Sequence, residues 1–125
     1  MQRKFMAWGA ILAMLSVMIG AFGAHMLKTV LSSDDLAVYE TGVHYHMIHA
    51  IGLLVIAVLI GQWGESARLR WAGWLLIAGT VLFSGSLYVL SISGITILGA
   101  ITPLGGICFI AGWVSLAWEA LSRKS

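Results

Sequence analysis

The chain has 125 residues, of which 60% are hydrophobic and only 10% charged, where an ordinary soluble domain carries charge on about a quarter of its residues. That balance excludes a soluble globular domain and defines a membrane protein. One Pro and one Cys exclude a disulfide scaffold, a zinc ribbon and a cysteine-ligated cluster, and the net charge of +2 resides in short basic flanks of apolar runs, which excludes a nucleic-acid partner.

The first predicted span is "FMAWGAILAMLSVMIGAFGAHML", Phe5 to Leu27. It exceeds the roughly 7 to 15 apolar residues of a signal-peptide core and is expected to be a retained helix. Ser16, Gly20 and Ala24 form a small-xxx-small series along it, and His25 stands at its far end.

The segment "SSDDLAVYETGV" opens with serines and aspartates suited to a helix start. The second helix is therefore expected from near Ser33 to about Gly61, beginning outside the hydrocarbon. At 100° per residue, Tyr39, Gly42, His46, His49 and Leu53 share one face. Glu40 and His44, four apart on a nearly opposite face, are expected to pair in the interface.

Between Arg70 and Glu119 no residue is charged, a length that fits two spans of about 20 residues. "SISG", Ser91 to Gly94, is the expected turn. Ser84 and Tyr88, four apart, belong to the outer half of the third span, and Thr102 and Pro103 to that of the fourth. Pro103 is expected to kink the fourth helix, which Gly99, Gly105, Gly106 and Gly112 thin. Cys108, within "GGICFIAGW", is an apolar filler.

The result is an all-α, polytopic bundle of four transmembrane helices in a single membrane domain over 1–125, with spans of about 5–27, 43–61, 71–91 and 96–118 and a helical extension across the outer loop 28–42. Arg3, Lys4, Arg68, Arg70, Arg123 and Lys124 fall on one side and Lys28 alone on the other, so the positive-inside rule places both termini in the cytoplasm of a bacterial plasma membrane. Tryptophans 8, 63, 71, 74, 113 and 118 mostly mark the cytoplasmic ends as an interfacial belt.

The segments "GAFGAH" (20–25), "YETGVHYHMIHA" (39–50), "FSGSLY" (83–88) and "TPLGG" (102–106) resemble the signature segments of the YgdD/YwdK-type family of small four-helix inner-membrane proteins, which also includes small eukaryotic transmembrane proteins. The resemblance covers nearly the whole chain. It implies a four-span plasma-membrane protein of unknown function and supplies no catalytic residue.

Polar groups of all four spans thus converge on one layer: His25, Tyr39, His46, His49, Ser84, Tyr88 and Thr102. A polar group in lipid is costly unless a partner within the bundle meets it. The first reading is a hydrogen-bond network that locks the helices, in a structural or accessory protein. The second is a ligand site, with His46 and His49 at i and i+3 and His25 completing three nitrogens for copper, zinc or haem; no carboxylate or thiolate joins them. The third is an oligomeric transporter or channel, with His46 or His49 titrating. The fourth is a subunit of a larger membrane complex. Soluble-enzyme motifs are absent.

Overall fold

The computed structural model describes residues 1–124. Four long apolar helices make up the described chain: α1 (Gln2–Leu27), α2 (Ser33–Trp63), α3 (Ala67–Ser93) and α4 (Thr96–Ser122), each long enough to cross a membrane. No strand occurs among the described residues.

Local chemistry sets the helix boundaries. Ser32 caps α2 by accepting from the Asp35 amide at 3.1 Å, with Asp34 and Asp35 in the first turn. Ser66 caps α3 in the same way, accepting from the Leu69 amide at 3.2 Å. Gly94, at φ 73° in the left-handed region, ends α3 and turns the chain into α4.

Pro103 does not break α4 mid-span. It sits in the first α-helical turn, directly after a 3-10 segment, Thr96–Ala100, where its missing N–H has no intrahelical partner to lose. In place of a proline within the helix interior, the structure shows a change of winding from 3-10 to α just ahead of Pro103.

The helices pack as two close pairs, α1 with α2 and α3 with α4, joined through α2 and α3. On α1 the buried small residues are Gly9, Ser16 and Gly23, spaced by seven, which is the repeat of a left-handed helix pair. This replaces the four-residue series expected from sequence: Gly20 is only half-buried and Ala24 is exposed. A side chain on Gly9 would collide with Leu54, and one on Gly23 with the Tyr39 ring.

The two ends of the bundle differ in character. Toward the termini, Phe5, Leu53, Ile56, Ile60, Leu69, Leu76 and Phe109 form a dry core. Outward faces are equally apolar, with Val17, Met18, Val81, Ile107 and Ile110 all exposed. Such a surface suits lipid and would be an aggregation hazard in water.

The termini end is also tied by charge. Glu119, only 6% exposed, lies 3.6 Å from Arg68 and 3.4 Å from Arg123. Arg123 also donates to the Trp63 carbonyl at 3.1 Å, joining α4 to α2. The Met1 amino group meets Glu65 at 3.1 Å, and Arg70 meets the same carboxylate at 3.4 Å.

Candidate functional site

Beyond the dry core, the inward face of α2 carries Tyr39, Gly42, His46 and His49, all buried. Each contacts a different part of the surrounding bundle. Tyr39 donates its hydroxyl hydrogen to the Ile19 carbonyl of α1, its ring seated in the notch left by Gly23. The Ser84 hydroxyl of α3 donates to the Gly42 carbonyl at 2.7 Å. Because Gly42 has no side chain, the Tyr88 ring fits against its backbone, and the Tyr88 hydroxyl reaches His46 Nδ1 at 2.8 Å.

His49 has both nitrogens engaged. Nδ1 lies 2.7 Å from the Tyr45 carbonyl, and Nε2 lies 3.0 Å from the indole nitrogen of Trp113 on α4. A carbonyl only accepts and an indole N–H only donates. Nδ1 therefore carries the proton, Nε2 accepts, and the ring that fits is neutral imidazole. Its face stacks on Phe109, with centroids 3.5 Å apart and planes within 9°.

His46 is only half satisfied. It is 3% exposed, and its Nε2 is the one buried side-chain nitrogen or oxygen without a partner among the described residues.

Thr102 joins the seam through Ser86, hydroxyl to hydroxyl at 2.6 Å, linking α4 to α3. His25 does not join it. In the π-helical last turn of α1, Gly23 and Leu27 take the inward positions and His25 is exposed. No group of three His, Cys, Asp or Glu side chains placed to hold a metal ion forms among the described residues. Nor does His44 pair with Glu40: both are exposed, and no hydrogen bond or ion pair joins them among the described residues.

Ser86 and Trp113 are the contributors that sequence reasoning missed. Trp113 read as one of an interfacial belt, yet its N–H points into the bundle. Its position within "FIAGWVSLAW", several residues from the nearest charge, was the available signal, since a buried indole N–H needs an acceptor. Ser86 carried no such mark.

The fold and the seam together define a four-span helical integral membrane protein whose polar side chains bond chiefly to one another and to the main chain. The chain belongs to the family described as protein of unknown function (DUF423), whose model matches residues 19–106. It is 51% identical to the UPF0382 membrane protein YwdK of Bacillus subtilis over 119 residues, covering 95% of this chain and 97% of the relative. It is 52% identical to the UPF0382 membrane protein SH2409 of Staphylococcus haemolyticus over 114 residues, 91% of this chain and 92% of the relative. No solved structure matches the chain.

Proposed function

We propose that the protein is a structural or accessory component of the bacterial plasma membrane, and that the polar seam is an internal lock holding its helices in register. The observation that carries this reading is His49, whose two nitrogens are both consumed by the fold. A ring in that state has no lone pair left for a metal or a substrate. Tyr39, Ser84, Ser86 and Thr102 are likewise spent on neighbours. Interhelical hydrogen bonds in membranes contribute about 0.6 kcal/mol each, so the seam supplies a modest, distributed lock.

Six basic residues lie near the termini end and the 64–66 connection, and Lys28 alone lies at the other end. That bias supports cytoplasmic termini, and the bacterial relatives support the plasma membrane as location. The bundle acts as one membrane domain, with a second copy or a larger complex as its working context.

The test compares the wild type with His46→Ala/His49→Ala in mild detergent, by optical spectrum, elemental analysis and thermal unfolding. The lock predicts a lower midpoint in the variant and nothing bound to lose. A stoichiometric haem, copper or zinc signal that disappears in the variant overturns the lock and makes this a cofactor-binding protein. For orientation, Ser122→Cys in a Cys108→Ala background should resist a membrane-impermeant maleimide in intact cells and react after lysis.

A further inference from the structure

At the termini end, α3 and α4 line an open apolar groove of about 380 Å³ whose walls include Trp71, Leu75, Ala111, Val114 and Trp118 together with Arg68. The two helices are tied to each other at the groove, where the Ser115 hydroxyl of α4 donates to the Arg68 carbonyl of α3 at 2.8 Å. Trp71 and Trp118 stand exposed on either side, at 65% and 60%.

Arg68 is unlike Arg70 and Arg123 in one respect. Arg70 and Arg123 donate hydrogen bonds within the protein, whereas the Arg68 guanidinium donates none among the described residues. It is held in place by the Trp118 ring, 4.6 Å away, and by Glu119 at 3.6 Å. Glu119 is shared with Arg123, so two guanidinium groups face one carboxylate and the cluster keeps a positive charge. Arginine's planar fork of donors matches phosphate oxygens, and basic pockets between spanning helices suit anionic lipid headgroups.

We propose that the α3–α4 groove is a binding site for a single anionic glycerophospholipid, its phosphate on Arg68 and one acyl chain lying between Trp71 and Trp118. The groove supplies an apolar channel whose two helices are tied together, a guanidinium that is ion-paired to Glu119 but donates no hydrogen bond among the described residues, and a net positive charge at the depth where tryptophans mark the interface. The groove lined by Glu40 and His44 carries a carboxylate and no basic side chain of lysine or arginine, and does not fit this ligand.

The experiment is native mass spectrometry of the full chain in detergent, titrated with phosphatidylglycerol or phosphatidylcholine of matched acyl chains. One phosphatidylglycerol should be retained at several-fold lower concentration than phosphatidylcholine. Arg68→Gln should weaken its retention about fivefold, the effect of one basic residue near an anionic lipid surface. Arg3→Gln/Lys4→Gln, at the same end but off the groove, should leave the preference intact. Ala111→Phe, which fills the groove and keeps the Arg68–Glu119 pair, should abolish retention, and it serves if Arg68→Gln fails to fold. Equal retention of the two lipids overturns the site. So does a loss in the Arg3/Lys4 variant equal to that of Arg68→Gln, or full binding by Ala111→Phe.

Discussion

Trp113 Nε1 donates to His49 Nε2 across 3.0 Å, tying the middle of α4 to the middle of α2 and fixing the imidazole in one tautomer. Trp113→Phe keeps most of the packing and leaves His49 Nε2 buried without a donor. Stability should fall by about 0.6 to 1.7 kcal/mol, from the average to the largest value for such bonds in membranes. A double-mutant cycle with His49→Phe should show coupling of similar size, and strict additivity of the two changes would remove the bond from the account.

Gly42 and Gly85 make opposite predictions for one added methyl group. A Cβ on Gly42 would collide with Tyr88, while one on Gly85 meets open space. Gly42→Ala should destabilise by about 1 to 3 kcal/mol through overpacking. Gly85→Ala should be neutral or stabilise by up to about 1 kcal/mol, the helical advantage of Ala over Gly. Unfolding in mixed micelles measures both, and similar losses would argue against the Tyr88–Gly42 contact.

Glu119→Gln leaves Arg68 and Arg123 without their shared carboxylate. Both arginines are more than a third exposed, 40% and 36%, so water screens much of the loss. A decrease of about 1 to 2 kcal/mol is expected, below the full value for breaking a buried pair. A wild-type-like unfolding curve would show that the clasp contributes nothing measurable.

Glu65 provides the pH dependence. Its hydrogen bond to the Met1 amino group, then the charges of that group and of Arg70, hold its carboxyl below the usual carboxylate range. With the folded value depressed, the contribution is present above the unfolded value and is lost as pH falls through the folded one. Thermal midpoints between about pH 6 and pH 3 should therefore fall less steeply in Glu65→Gln than in the wild type, and raised salt should narrow the gap. Parallel profiles would rule out this ion pair as a stabilising contact.

The inward face of α2 was legible because Tyr39, Gly42, His46, His49 and Leu53 recur at helical spacing, and all five are buried. The capping serine and the Gly94 turn were legible from residue type. The partners were not. Ile19, Gly42 and Tyr45 act through carbonyls, which every residue possesses and no side chain announces. The seam of α1 was misread because a four-residue and a seven-residue series share Ser16, and only packing against Leu54 and Tyr39 selects the longer one. His25 looked like a third histidine of the set until the inward places of its turn went to Gly23 and Leu27.

The helices are stitched largely by side chains that grip a neighbouring main chain: Tyr39 on Ile19, Ser84 on Gly42, Ser115 on Arg68 and Arg123 on Trp63. Such links are genetically one-sided. Replacing the donor erases the bond, while replacing the acceptor residue leaves its carbonyl in place. A saturation scan of abundance should therefore find Tyr39, Ser84 and Ser115 intolerant of donor loss and Ile19 free to vary among apolar residues, with Gly42 the exception for want of space. Half of each contact is then invisible to selection on side chains, and lineages can drift on that half while the bundle keeps its shape.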